Sequence, residues 1–560
     1  MVNRDSPKQL RESPDSTSTS LVSTAQTATE QTYTPPTTLD PRFFQPFGNG
    51  KFDYLEEPGY YLDEALLQTK SEDVQVVREV VAHASSSPPM RSRYWRLPFC
   101  KSNWRFLVAV LVVTTVFAAA CAYAITASIM LNNPMRNGHR LEKLTNRTYT
   151  QLKAIRTNLV DPDSPVLPAK SSWTLVFSDE FNVENRTFAE YEDQFFTAVD
   201  LYYQATQDLE YYSPSMVTTR DGCLEITFDK HKVGQQSYVS GMVQSWNKLC
   251  FNKQARVEIS VQMPRSVENG LWPAVWSLGN LARPGYLASS DGVWPYTYDE
   301  CDVGILPNQS TANSGMSYLP GQRLSSCTCF GEDHPSLGVG RGAPEIDIME
   351  GLYHGNKYWG VQTVQVAPFD EWWRPDYRFV DIANVNNTMV RQDVGTVYQE
   401  SISLETPVEI DGFIRFAMEY DTKGGGYVRF AINDVETFTL KGEALHGNQW
   451  IGHRQISREP MSLIFNMGLS RVWNPALSLR RLDLPAKFLV DYVRVYQPRD
   501  QVSLTCDPED YPTSQYIRDH MRAYVDSSLH DWKEAGFAFP RNSIADSCPC
   551  PGRVFSRNWE

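Results

Sequence analysis

Three acidic residues in one short segment have the types and spacing that acid–base chemistry requires. The segment 342–351 reads Gly-Ala-Pro-Glu-Ile-Asp-Ile-Met-Glu-Gly. On a β-strand, successive side chains alternate between the two faces. Glu345 and Asp347 therefore share one face, while Ile346 and Ile348 share the other. This pattern predicts a half-buried strand that presents carboxyl groups on its accessible side.

Strict alternation would place the third acid, Glu350, on the apolar face. A β-bulge near Met349 would return Glu350 to the acidic face, and bulges recur beside active sites. Three carboxyl groups on one face repel each other, which drives their pKa values apart. A retaining glycosidase uses such a set: one carboxylate attacks, a protonated acid about 5–5.5 Å away donates, and a third sets the charge of the nucleophile. The alternative is a face of solvated acids without catalytic use.

Composition narrows the classes of ligand. The chain has 560 residues, 12% of them aromatic, and a formal net charge of −14. It contains no long basic run, so nucleic acid is not an expected partner. It also contains no Gly-rich phosphate loop, so no nucleotide or dinucleotide cofactor is expected. No metal-liganding run is readable, and we predict neither a metal site nor another cofactor.

The sequence divides into five segments. Residues 1–105 are rich in Ser, Thr, Pro and Gln and predict a disordered cytosolic tail. Residues 106–131 contain no charged residue and are long enough to cross a bilayer, which predicts an uncleaved signal-anchor helix. A stalk (132–170), a folded domain (171–497) and a Cys-containing extension (498–560) follow.

The flanks of the apolar segment favour a cytosolic N-terminus. Four glycosylation sequons follow the span and none precedes it, at Asn146, Asn185, Asn308 and Asn386. These features predict a single-pass type II membrane protein of the secretory pathway (endoplasmic reticulum or Golgi) or plasma membrane. Its folded domain would then be lumenal or extracellular.

Cysteine usage agrees with an oxidising compartment. Eight of the ten cysteines follow the span, which predicts disulfides of unknown pairing. We expect the final pair, Cys548-Pro-Cys550, to staple the extension to the domain. The alternative, a zinc site at Cys327-Thr-Cys329 with His334, lacks the usual two-residue gap.

Short β-type runs between turn residues fill the folded domain and predict an all-β sandwich or jelly roll. The extension contains one predicted helix near residues 514–535. The clearest runs begin with Trp173, Cys223, Ala255, Phe413, Tyr427 and Phe488.

The folded domain resembles glycoside hydrolase family 16, a family of β-sandwich proteins. The matching segments are 173–182, 270–279 and 491–496. It is more closely similar to the fungal β-1,6-glucan synthesis-associated subfamily. The segments that carry this resemblance are 279–286, 292–296, 298–304, 327–335 and 339–345.

The resemblance implies roles for individual residues. Glu345 matches the family nucleophile, Asp347 its electrostatic helper and Glu350 its general acid/base. Trp272 and Trp276 match aromatic residues of the sugar cleft, with ordinary core packing as the alternative.

One departure concerns the strand after the acids. Where many family members carry a His, this chain offers Gln362 or Gln365. Glutamine can hydrogen-bond a sugar but cannot titrate. Two functions remain in view: a β-glucan hydrolase or transglycosylase of the cell wall, and a non-catalytic glucan-binding scaffold. A lectin-like receptor is a weaker third hypothesis, because the tail contains no recognisable domain.

Overall fold

A computed structural model describes residues 158–165, 171–307, 319–367, 373–391 and 400–548. Within these ranges, no helix combines the length and apolarity needed to cross a bilayer. The predicted span at 106–131 lies outside the described residues, as do the predicted tail and most of the predicted stalk.

The described part of the domain is built mainly from β-strands. The predicted runs recur as strands, with ends that differ by a few residues. The strands, in chain order, are β1 (Trp173–Asp179), β2 (Thr197–Ala198), β3 (Leu201–Tyr202), β4 (Glu210–Tyr212), β5 (Val217–Arg220), β6 (Cys223–Phe228), β7 (Tyr238–Ser240), β8 (Met242–Gln244), β9 (Cys250–Phe251), β10 (Ala255–Gln262), β11 (Leu271–Gly279), β12 (Glu345–His354), β13 (Lys357–Val366), β14 (Val380–Ile382), β15 (Met389–Val390), β16 (Glu400–Val408), β17 (Ile414–Asp421), β18 (Tyr427–Ile432), β19 (Val435–Lys441), β20 (Met461–Leu469) and β21 (Ala486–Pro498).

The strands of the described ranges form three sheets. The first sheet has the order β14-β19-β18-β17-β10-β21-β6-β5, and β1 also pairs with β21. The second has the order β15-β16-β13-β12-β11-β20-β8-β2, and β9 also pairs with β20. A third, small sheet has the order β3-β4-β7. The all-β sandwich prediction is confirmed.

Alternation along the strands builds the core between the first and second sheets. In β10, Val257 and Ile259 are fully buried, while Arg256 and Glu258, which alternate with them, are only half-buried. Phe465 of β20 belongs to the same core cluster from the second sheet. Burying one such side chain contributes about 1.5–3 kcal/mol, so the repeated pattern fixes which face of each strand is internal.

Helices are short in the described residues. The α-helices are α1 (Leu287–Ser290), α2 (Ser514–Asp519) and α3 (Met521–Val525). Single 3₁₀ turns cover Pro214–Met216, Arg265–Asn269, Val303–Ile305, Tyr377–Phe379, Lys423–Gly425 and Gly442–Leu445.

The single helix predicted near residues 514–535 is wrong in length, because it breaks at His520 and ends at Val525. The His520 ring bonds the Tyr516 carbonyl and lies among Tyr516, Trp532 and Phe537. Aromatic packing therefore continues where the helix stops.

Among the described residues, three disulfides join separate segments of the domain. They link Cys250 with Cys506, Cys301 with Cys327, and Cys329 with Cys548. The extension is therefore stapled through Cys548, as predicted, and Cys550 lies outside the described residues. Because Cys327 and Cys329 are both in disulfides, their sulfurs are not available as zinc thiolates.

The domain also extends beyond its predicted start. Residues 158–165 pack beside β1, where the Ser164 hydroxyl bonds the Glu180 carboxylate at 2.7 Å. The backbone amide of Asp161 donates to Ser178 at 2.7 Å. Part of the predicted stalk is thus bound to the sandwich.

Candidate active site on the second sheet

A bulge in β12 brings the three acids to one face. In the pairing with β13, Asp347 lies opposite Thr363 and Glu350 lies opposite Val361, so two residues of β12 face one of β13. The pairing with β11 shifts at the same place, between Val275 and Trp276. The bulge predicted near Met349 is confirmed.

Burial shows how the bulge divides the side chains. Ile348 and Met349 are fully buried and both belong to the core between the two large sheets. Asp347 and Glu350 are 3% and 7% exposed. Glu345 is half-buried. The extra residue allows two consecutive apolar side chains to enter the core while the acids remain together on the other face.

Glu345 accepts two hydrogen bonds that stabilise its charged form. The Trp294 indole donates to Oε2 at 2.5 Å, and the Asp347 carboxyl group is a second partner. Burial nevertheless raises the pKa of Glu345 to about 7. Burial and the neighbouring Glu345 charge raise the pKa of Asp347 well above its ordinary value. Asp347 therefore keeps its proton to higher pH and donates a hydrogen bond to Glu345.

Glu350 sits in a separate environment on the same face. The Trp272 indole donates to Oε1 at 3.1 Å, and the Thr363 hydroxyl donates to Oε2 at 3.4 Å. Burial, together with the charge of Asp347, raises the pKa of Glu350 to about 8, and Arg391 opposes that rise. Glu350 is therefore protonated at neutral pH, as a general acid must be.

The two tryptophans of β11 flank the acids. Trp272 is half-buried and stacks on Trp473, with ring centroids 4.6 Å apart and planes within 5°. Trp276 is 8% exposed, and its indole donates to Asn466 Oδ1 at 2.9 Å. Trp276 lies opposite Asp347 in the strand register. Trp272 thus has an accessible portion beside the acids, while Trp276 lies deeper.

The two glutamines of β13 lie on opposite faces. Gln365 donates to Asp347 Oδ2 at 3.1 Å and accepts from Ser401 at 2.5 Å, so it contacts the acid cluster. Gln362 is 1% exposed and donates at 3.1 Å to the carbonyl of Ile348, the bulge residue. It also accepts from Thr437 of the first sheet at 2.7 Å. The structure joins Gln365 to the acids and does not bring Gln362 to them; Gln362 supports the bulge from the core side.

Three residues of the site were not predicted from the sequence: Trp294, Arg391 and Trp473. Trp294 lies in segment 292–296, one of the segments that carry the family resemblance. That resemblance was a signal from which Trp294 could have been identified as a site residue. Arg391 and Trp473 come from loops after β15 and β20, and the Arg391 guanidinium lies 4.9 Å from the Trp473 ring centroid. No local pattern marks these two residues, because only folding brings their loops together.

Two remaining predictions concern modification and metals. Asn185 and Asn386 are exposed in turns, while Asn146 and Asn308 lie outside the described residues. Among the described residues, no group of three or more His, Cys, Asp or Glu side chains is arranged to hold a metal ion.

The arrangement combines a carboxyl group of lower pKa, Glu345, with a carboxylic acid of higher pKa, Glu350. Each has an indole donor of its own, and Asp347 adjusts the charge of Glu345. Such a division suits covalent attack by one group and proton donation by the other.

Comparisons with known proteins agree with the resemblance found in the sequence. The family model described as "Beta-glucan synthesis-associated protein SKN1/KRE6/Sbg1" matches residues 88–548. The chain is 48% identical over 426 residues to the beta-glucan synthesis-associated protein SKN1 of Saccharomyces cerevisiae, covering 73% of this chain and 55% of the relative. It is 46% identical over 431 residues to KRE6 of the same yeast, covering 74% and 59%. The chain therefore spans little more than half the length of these two relatives.

Among solved structures, the domain is similar to the catalytic domain of an endo-1,3-beta-glucanase (laminarinase) from Thermotoga petrophila. That match has a TM-score of 0.36 and 19% identity, and it covers 58% of this chain and 98% of the glucanase domain. The match to the family model over most of the chain, together with the two yeast relatives, identifies the chain as a member of the SKN1/KRE6/Sbg1 family of beta-glucan synthesis-associated proteins.

Proposed function

We propose that the domain cleaves or transfers β-glucan chains by a retaining mechanism, in the service of β-1,6-glucan synthesis and fungal cell wall organisation. The observation that carries the proposal is the bulged strand with three carboxyl groups on one face, two of them buried and the third half-buried. Burying three acids together is costly, and a fold tolerates the cost where the site uses it. The names of the relatives support a role in β-glucan synthesis.

The steps use the roles that the family resemblance implies for the two acids, and the raised pKa of Glu350 agrees with its role as proton donor. A Glu345 carboxylate oxygen attacks the anomeric carbon of the bound glucan, and the bond from that carbon to the leaving oxygen breaks. Glu350 gives its proton to the leaving oxygen. In the second step, Glu350 takes a proton from the acceptor, whose oxygen displaces Glu345 from the sugar. Water as acceptor gives hydrolysis, and a sugar hydroxyl gives transfer.

The test uses the purified full-length protein with defined β-1,3- and β-1,6-gluco-oligosaccharides. Shorter products indicate hydrolysis, and longer products indicate transfer. Glu345→Gln and Glu350→Gln should each lower turnover by at least ~10²-fold, since acid–base catalysis alone contributes that much. Glu405→Gln is a matched control, because Glu405 is also 7% exposed and lies on β16 of the same sheet, bonded to His354. Unchanged turnover in both acid variants would exclude the mechanism.

A second candidate function is a non-catalytic glucan-binding scaffold. The raised pKa values of Asp347 and Glu350 support this scaffold function, because they keep the two carboxyl groups protonated. Protonated carboxyl groups can donate hydrogen bonds to sugar hydroxyls without breaking any glycosidic bond. Binding of the oligosaccharides with no change in their length, by the wild-type protein, would favour the scaffold.

We further propose that residues 106–131 anchor the protein as a single-pass type II membrane protein of the secretory pathway or plasma membrane, with the domain lumenal or extracellular. Three disulfides within the domain support an oxidising compartment. The exposed positions of Asn185 and Asn386 support glycosylation there. A smaller endoglycosidase-sensitive mobility shift in Asn185→Gln and in Asn386→Gln than in the wild-type protein tests the glycosylation. Protection of the domain from protease in intact vesicles tests its lumenal orientation.

A further inference from the structure

We propose that the third sheet forms the wall of the cleft beside the nucleophile. Tyr203 would contact the bound glucan, and a buried hydrogen-bond chain through Asp208, Tyr212 and Asn466 would position Tyr203 and Trp276. This inference rests on the proposed function and names residues that hold the substrate rather than react with it.

Tyr203 follows β3 and lies near the acids. It is half-buried and packs against the apolar cluster that contains Trp276, Leu278 and Ile464. Burial raises the pKa of the Tyr203 hydroxyl well above its ordinary value, and the charges of Glu345, Asp208 and Asp347 add to that rise. The hydroxyl therefore stays protonated and can donate a hydrogen bond beside the nucleophile.

A chain of hydrogen bonds connects the third sheet with Trp276 on β11 of the second sheet. Trp276 Nε1 donates to Asn466 Oδ1 at 2.9 Å, and Asn466 Nδ2 donates to the Tyr212 hydroxyl at 3.1 Å. The Tyr212 hydroxyl donates to Asp208 Oδ2 at 3.0 Å. An indole nitrogen can only donate, so the direction of every bond in the chain is determined, and Asp208 is its final acceptor.

The hydrogen-bond chain is rigid because its side chains are buried and have further hydrogen-bond partners. Tyr212 and Asp208 are 0% and 2% exposed. The Thr206 hydroxyl donates to Asp208 Oδ1 at 2.6 Å. Glu210, fully buried, accepts the Leu469 amide of β20 at 3.1 Å, which fixes β4 against the second sheet.

Tyr212 links this chain to Tyr203. The two rings meet edge to face, with centroids 6.1 Å apart. The orientation of Tyr212, fixed by its hydroxyl, therefore sets the surface on which Tyr203 rests. A half-buried ring with a protonated hydroxyl suits a glucose unit, whose ring has an apolar face and a rim of hydroxyl groups.

The experiment compares three variants of the full-length protein. Tyr203→Ala removes the proposed contact with the glucan. Tyr212→Phe interrupts the hydrogen-bond chain and retains the aromatic ring, and Tyr420→Phe is the matched control. Tyr420 is fully buried, and its hydroxyl has no hydrogen-bond partner among the described residues. Calorimetry gives the Kd for linear β-1,3- and β-1,6-glucotetraose, and thermal unfolding gives the Tm of each variant.

We expect Tyr203→Ala to weaken binding by ~10-fold or more, which corresponds to about 1.4 kcal/mol. Tyr212→Phe should weaken it by roughly 3- to 10-fold, the loss expected for one buried hydrogen bond, while kcat changes less than KM. Tyr203→Phe retains the ring and should bind with intermediate affinity, which covers the case in which Tyr203→Ala lowers the Tm.

Affinities of Tyr203→Ala and Tyr212→Phe equal to that of Tyr420→Phe would overturn the inference. The inference would also be overturned if the wild-type protein bound neither of the two tetraoses. Weakened binding in these variants, with no turnover by the wild-type protein, would support the inference while the glycosidase proposal fails.

Discussion

Replacing Glu350 by Gln tests the electrostatics of the site without depending on any activity. Burial and Asp347 raise the pKa of Glu350 from 4.5 to about 8. The folded protein therefore binds this proton more tightly than the unfolded chain does. The resulting contribution to the free energy of unfolding is complete below pH 4.5 and is lost as the pH rises towards 8.

The magnitude follows from the shift. One pKa unit corresponds to about 1.4 kcal/mol, so Glu350 would contribute at most about 5 kcal/mol. Because Glu345 and Asp347 titrate in the same cluster, we expect roughly half of that, about 2–3 kcal/mol. Glutamine preserves the shape: its carbonyl accepts from Trp272, and its amide donates to Thr363.

The assay is denaturant unfolding of the purified full-length wild-type and Glu350→Gln proteins, under non-reducing conditions, from pH 4 to pH 8.5. The wild-type protein should lose stability relative to the variant as the pH rises. Glu332→Gln is the control of opposite sign, because hydrogen bonds from Arg541 lower the pKa of Glu332. Its effect should appear on the acid side. Parallel stability curves for wild type and Glu350→Gln would refute the assigned proton affinity.

Three further changes test other parts of the structure. Arg391→Gln removes the cation that opposes the rise in the pKa of Glu350. The basic limb of the pH profile of kcat/KM should therefore move to higher pH, while the profile of Arg391→Lys stays near that of the wild type. An unmoved basic limb in Arg391→Gln would contradict this. Replacing Cys250 and Cys506 together by Ser should lower the free energy of unfolding by about 2–5 kcal/mol in denaturant titrations, and no change would show that the link does not stabilise the fold. Gln362→Leu removes the side-chain donor to the Ile348 carbonyl and the acceptor of the Thr437 hydroxyl, so it should lower the free energy of unfolding by about 1–3 kcal/mol in the same titrations. An unaltered midpoint would show that Gln362 does not stabilise the bulge.

Local pattern predicted the strands and one irregularity. The strands beginning at Trp173, Cys223, Ala255 and Tyr427 follow from alternating apolar side chains, because each strand must bury one face. The bulge in β12 follows from the same rule, since the acids cannot share a face without an extra residue. The helix predicted for the extension was too long, because aromatic packing around His520 replaces helical bonding there.

Sequence by itself determined the acids, the strand that carries them and the need for a bulge, because side-chain alternation is a property of the local backbone. The tertiary structure decided which groups surround those acids. Trp294 reaches Glu345 across 51 positions of the chain, and Asn466 reaches Trp276 across 190. It also decided the disulfide pairs and the raised pKa values of Glu345, Asp347 and Glu350. These properties depend on burial and on neighbours that are distant in sequence, and no local pattern records them.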